Sequence, residues 1–85
     1  MAHFVYILKS EKDGTYYVGS TQNIYERLQR HNEGRSKYTQ SKRPWKIVFF
    51  EEHKDRSCAT KREQAIKKRK SKDFIEKLVR ASRQT

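Results

Sequence analysis

The chain has 85 residues, 33% hydrophobic and 36% charged, which suffices for one domain around a thin core. Lys and Arg number 21 against 10 Asp and Glu, a formal net charge of +11; that surplus points to a polyanion, nucleic acid ahead of an anionic membrane surface, with an RNA-coating basic protein as the plain alternative. No apolar run approaches the roughly 18 residues of a membrane span. Nothing at the N-terminus reads as a secretory leader, and the lone Cys58 excludes an internal disulfide and a Cys-based zinc cluster, so a cytoplasmic protein is expected.

In chain order, Phe4 to Ser10 and Thr15 to Ser20 are rich in β-branched and aromatic residues and read as strands. Asp13-Gly14 between them is a strong hairpin signal. The hairpin brings Tyr6 and Tyr17 to one region of the sheet, with Gly19 close by. Asn23 is a good N-cap with Glu26 in capping-box position, so a helix is predicted from about Ile24 to Glu33, and Gly34 suits its C′ position. Ile24 and Leu28 belong to the core. Arg27 and His31, four apart, share one stripe at the edge of that face.

Residues 35–44 are polar, basic and turn-rich, a surface loop in which Lys37 and Tyr38 are candidate phosphate contacts, although most such loops are only solvated surface. Trp45 to Phe50 reads as a third strand. Its continuous apolar run, Ile47 to Phe50, fits a central strand covered on both faces, ended by Glu51-Glu52-His53. Asp55 or Ser57 can cap a second helix, from about Cys58 to Lys70. Its apolar side carries Cys58, Ala59, Ala65 and Ile66, with Glu63 at the edge. A basic run from Lys67 to Lys72 follows, and Ser71 can cap a third helix whose stripe is Phe74, Ile75, Leu78 and Val79. From Ala81 to Thr85 the chain is expected to fray. The order β-β-α-β-α-α gives a small α/β (α+β) domain spanning residues 1–85, its core at about 4–79: a three-stranded sheet with an antiparallel hairpin, flanked by three helices.

Which residues could do chemistry? The sequence carries no P-loop, no GxGxxG and no arguable Ser-His-Asp set, and His3, His31 and His53 are not at metal-ligand spacing. Tyr6, Tyr17, Arg27, His31 and Glu63 remain, drawn from separate elements. Each has a plain reading too. Strand tyrosines pack in cores, Arg27 makes a surface ion pair, and His31 is a structural histidine. Glu63 pairs with Lys67 at i+4, worth about 0.2–0.5 kcal/mol. Lys67 to Lys72 is first a solvated basic face, and Lys67 and Lys68 are phosphate contacts second.

Taken together these residues resemble the GIY-YIG nuclease superfamily in its small single-domain form. Phe4-Val5-Tyr6 is the first half-motif and Tyr17-Val18-Gly19 the second, with ten residues between the tyrosines. Arg27 and His31 follow on the first helix, then Arg62-Glu63 on the helix after the third strand. Phe4 stands where the family name has Gly and Val5 where it has Ile, and the late Asn of some members has no clear counterpart.

The resemblance implies phosphodiester hydrolysis in DNA, more than RNA, with one divalent ion, Mg²⁺ or Mn²⁺, on Glu63. It implies that Tyr6 takes the proton of the attacking water, which requires its phenol, of ordinary pKa about 10, to be lowered by positive charge or a hydrogen-bond partner. Arg27 would grip the scissile phosphate with its fork, Tyr17 and His31 would position phosphate or orient the water, and Gly19 would let the backbone come close to substrate. A chain this short has no room for a separate target-recognition domain. It is therefore loosely specific, structure-selective, dimeric, or delivered by a protein partner. The alternatives to a nuclease are a nucleic-acid-binding module of the same fold that does not cleave, and a basic adaptor for a protein or RNA.

Overall fold

A computed structural model describes residues 2–34, 40–69 and 71–82. The candidate contacts Lys37 and Tyr38 lie outside the described residues. The elements run β1 (His3–Ser10), β2 (Tyr16–Thr21), α1 (Ile24–Asn32), β3 (Trp45–His53), α2 (Arg56–Arg69) and α3 (Lys72–Ser82). They form the expected α+β order: one antiparallel three-stranded sheet with helices on both sides.

Local chemistry sets most of the boundaries. In the hairpin, Gly14 adopts φ +78°, and its N–H donates to the Ser10 carbonyl. The buried Ser10 hydroxyl accepts from the N–H groups of Lys12 and Asp13 and donates to the Lys42 carbonyl at 2.6 Å, so the turn and the segment before β3 are tied to one side chain. Asp13 Oδ1 takes the Thr15 N–H, and the Thr15 hydroxyl, followed by that N–H, holds the carboxyl down at about 2. Asn23 caps α1 by accepting the Glu26 N–H. The return half of the capping box does not form, because the Asn23 N–H goes to Thr21 and the Glu26 carboxylate to Arg30. Gly34, at φ +78°, ends the helix as expected. Asp55, rather than Ser57, caps α2 through the Cys58 N–H, so the helix starts at Arg56 and not at Cys58. Ser71 caps α3 through the Phe74 N–H.

The sheet order is β2-β1-β3, and this corrects the reading of the third strand. β1 is central: Val5, Tyr6, Ile7 and Leu8 are all at most 1% exposed. β3 is an edge strand that continues through Glu51 and Glu52 to His53, and its Phe50 is 57% exposed against the edge of Phe4. The unbroken apolar run has another cause. Ile7 faces Phe49 and Leu8 faces Ile47, so Val48 is skipped as a bulge. Val48 and Phe49 therefore both join the core under α2 and α3, while Ile47 joins the core under α1. A strand that turns two successive side chains to one face loses its alternation without being central.

Two cores result. On one face Val5, Ile7, Val18 and Phe49 meet Ala59 and Ile66 of α2 and Val79 of α3, with Phe74, Ile75 and Leu78 packed against them. Ala65 is exposed and takes no part. On the other face Tyr6, Leu8 and Trp45 meet Ile24, with Leu28 and Tyr17 alongside. No helix among the described residues is long and apolar enough to cross a membrane. The two edge and core assignments give a direct comparison: Ile66→Ala should cost 2–5 kcal/mol in urea unfolding at about pH 7, whereas Phe50→Ser should stay within about 1 kcal/mol of the parent.

Candidate active site

Strand alternation puts Tyr6, Tyr17 and Gly19 on the face that α1 covers, and Val18 and Ser20 on the face that α2 covers. The candidate residues therefore start from opposite sides of the sheet. They meet at β2, which is an edge strand and has nothing beyond it in the sheet.

On the α1 side, Tyr6 faces Gly19 across the β1–β2 ladder. A Cβ at Gly19 would stand 2.6 Å from the Tyr6 hydroxyl and 2.8 Å from the ring carbon that bears it. Gly19 thus has a nearer task than the one inferred from sequence: it makes room for the Tyr6 phenol to lie across β2. The Tyr6 hydroxyl comes within 3.3 Å of His31 Nε2, and the Arg27 side chain lies close enough for its charge to act on the phenol. Tyr17 sets its ring edge-on to His31, centroids 4.7 Å apart. Asn32 fixes the end of α1 against β3, accepting the Trp45 N–H at 2.7 Å and donating back to the Trp45 carbonyl. His31, one residue earlier, is thereby held among Tyr6, Tyr17 and Trp45.

On the α2 side, Glu63 Oε1 accepts the Ser20 hydroxyl at 2.8 Å, and Oε2 accepts Lys67 Nζ at 2.7 Å. Its side chain is 14% exposed. Glu63 therefore makes the routine helix pair with Lys67 and also reaches the end of β2. Arg27 and Glu63 line the same polar groove of about 670 Å³, with Asn23, Arg56 and Thr60. Tyr6 senses both residues: Arg27 favours its ionised form and Glu63 opposes it.

The electrostatics overturn one expectation. Burial, reinforced by Tyr17 and Glu63, pushes the Tyr6 phenol well above its ordinary 10.0, and the Arg27 charge does not offset it. The depth of Tyr6 in the central strand is the reason. In this state Tyr6 keeps its proton and is a hydrogen-bond donor. His31 moves the other way: burial first, and then the Arg27 charge, hold it below its ordinary 6.5, so it is neutral at pH 7. A protonated phenol and an unprotonated imidazole nitrogen at 3.3 Å form a donor–acceptor pair.

Sequence reasoning missed Ser20, Arg56 and Thr60. Ser20 carried a usable signal: two positions after Val18 on a covered strand face, a hydroxyl must find a partner. Lys68 is exposed and lines neither this groove nor the one beside it. The described part of the loop turns inward rather than toward a ligand: Lys42 Nζ lies on Thr15 and Asp13, and Arg43 caps the Gln40 carbonyl.

Could this site hold a divalent ion? Among the described residues there is no group of three or more His, Cys, Asp or Glu that could form a cage. One carboxylate beside a hydroxyl is a hard oxygen set, which suits Mg²⁺ or Mn²⁺ completed by water and phosphate. An ammonium group already sits 2.7 Å from Oε2, so a positive charge is accommodated there. The donor set fits.

A family model described as the GIY-YIG catalytic domain matches residues 2–77. A UPF0213 protein of Listeria monocytogenes is 49% identical over 74 residues, 84% of this chain and 82% of that protein. A UPF0213 protein of Staphylococcus aureus is 42% identical over 67 residues, 78% of this chain and 80% of the relative. The solution NMR structure of a UPF0213 protein from Bacillus halodurans is similar with a TM-score of 0.59 and 32% identity, covering 95% of this chain and 85% of that one.

The Gly19 contact is open to test. Gly19→Ala must displace the Tyr6 ring and should cost 1–3 kcal/mol in denaturant unfolding. The same substitution in a Tyr6→Leu background, where the ring is gone, should cost at least 1 kcal/mol less.

Proposed function

The chain belongs to the GIY-YIG catalytic-domain family, and on that premise we propose that it is a divalent-metal-dependent endonuclease hydrolysing phosphodiester bonds in DNA. The observation that carries this reading is the shared groove: Arg27, whose charge acts on the Tyr6 phenol, lines the same opening as the Glu63 carboxylate. A lone thiol suits a reducing compartment, and we place the protein in the cytoplasm.

In this mechanism Arg27 grips two oxygens of the scissile phosphate with its fork and offsets the charge that grows on them. Glu63, steadied by Ser20, is the residue that would hold Mg²⁺ or Mn²⁺, which when bound supplies Lewis-acid stabilisation of the phosphate. Tyr6 acts as a relay rather than as a free phenolate. Its hydroxyl proton passes to His31 Nε2 while its oxygen takes the proton of the attacking water, so the phenol ends as it began. His31 is then the terminal base, and its depressed pKa keeps it unprotonated at neutral pH. Tyr17 orients the imidazole by its edge contact.

A second reading, a nucleic-acid-binding module that does not cleave, is favoured by one observation: both Glu63 oxygens are already engaged, by Ser20 and by Lys67. A cleavage panel separates the two. Duplex, flap, junction and single-stranded substrates are incubated with Mg²⁺ or Mn²⁺, and binding is followed in parallel. The nuclease should nick at least one substrate. Glu63→Gln should lower that rate by several kcal/mol of transition-state stabilisation, on the order of 10³-fold, with binding intact. Binding without any nick under either ion establishes the second reading.

The pH profile tests the relay. A base with a depressed pKa is competent above that pKa, so the single-turnover rate should be level near pH 8 and its acid limb should have its midpoint below the 6.5 of an ordinary imidazole. His31→Gln should lose on the order of 10²-fold or more and flatten that acid limb. A rate that instead keeps rising with pH above 8, in a rise that Tyr6→Phe abolishes, would return the base role to a Tyr6 phenolate.

A further inference from the structure

Arg56, Thr60, Glu63 and Lys67 stand at i, i+4, i+7 and i+11 on α2, so they form one stripe along the helix. At about 1.5 Å per residue, Arg56 lies about 10 Å before Glu63 along the axis and Lys67 about 6 Å after it. Two grooves border this stripe. The first, already described, joins Arg56, Thr60 and Glu63 to Ser20 and Thr21 at the end of β2. The second, of about 640 Å³, joins Lys67 to Tyr16, Tyr17 and Val18 at the start of β2, with Lys72 of α3 at its side. The grooves therefore follow β2 and α2 in opposite chain directions and share no lining residue, and the Ser20–Glu63 hydrogen bond crosses from strand to helix between them. The carboxylate stands at that crossing, with a cation of the stripe on either side.

Resting on the nucleic-acid reading above, we propose that the two grooves form one channel, crossed by that hydrogen bond, and that a nucleic-acid strand runs along it parallel to α2. Arg56 holds a phosphate on one side of the reacting one, and Lys67 holds a phosphate on the other. Charge complementarity selects a polyanion: the chain carries +11, and the stripe ends in a cation on each side of the carboxylate, Arg56 beyond Thr60 and Lys67 next to Glu63. The residues suit the task differently. Arg56 presents a fork that binds two phosphate oxygens, whereas Lys67 presents a compact point charge. Lys67 is 45% exposed, so a phosphate can reach it while it still leans on Glu63. A phosphate that draws Lys67 away frees Oε2, and the strand and a divalent ion then favour each other's binding.

The test uses the full chain carrying Glu63→Gln, in which nothing is cut and Lys67 has already lost its carboxylate partner. Fluorescence anisotropy with a labelled oligonucleotide gives the slope of log Kd against log salt. Each lost phosphate contact should lower that slope by about 0.7–0.9. Arg56→Gln and Lys67→Gln should each do so, and together they should lower it by about twice as much. Lys46→Gln, on the far edge strand β3, should leave it unchanged. Near-ultraviolet circular dichroism of each variant confirms that it is folded. A parent that binds with a steep slope which neither Arg56→Gln nor Lys67→Gln alters places the strand elsewhere and overturns the channel, leaving the nuclease reading to the cleavage panel. A parent whose affinity hardly responds to salt has few phosphate contacts, and that result overturns both.

Discussion

The phenol of Tyr6 crosses a neighbouring strand at the one position that has no side chain, and the arrangement of the site depends on that crossing. Tyr6 belongs to the central strand and is 1% exposed. Residues so placed normally end in the core. Here the ring passes over Gly19 and delivers its hydroxyl to His31 and Arg27. The two half-motifs are thus one physical unit: the tyrosine of the first needs the glycine of the second, because any Cβ there would occupy the space of the hydroxyl.

The same depth decides the proton inventory. Burial penalises whichever form of a group is charged, so it raises the phenol and lowers the imidazole. Both partners of the 3.3 Å contact are consequently neutral at pH 7, and a proton moved along it creates charge only transiently. The Arg27 guanidinium acts in one electrostatic direction on both groups, favouring phenolate and disfavouring imidazolium. It reinforces burial at the histidine and opposes it at the tyrosine.

Elements governed by near neighbours were legible in the sequence. Asp13-Gly14, the Asn23 and Ser71 caps, Gly34 and the α3 stripe all act within a few residues, and each is found in place. Sheet order was not legible, since Ile47 to Phe50 carries no mark that separates a central strand from a bulged edge strand; the bulge at Val48 is defined only by its pairing with β1. The site was half legible. Tyr6, Tyr17, Arg27, His31 and Glu63 followed from motif and helix spacing, and the fold gathers them. The Ser20 tether joins residues 43 positions apart. The direction of the Tyr6 shift depends on burial depth, which a strand pattern does not specify.

The Val48 bulge also bears on what the outer edge of β3 offers to another extended chain. An exposed outer strand with regular rungs offers its free backbone groups to any other extended chain, and Phe50 would add an adhesive ring to that offer. With one residue out of step, no straight partner can match the rungs on both sides of Val48. The irregularity that obscured the strand's position in the sequence thus also interrupts the even row of backbone groups that an added strand would need.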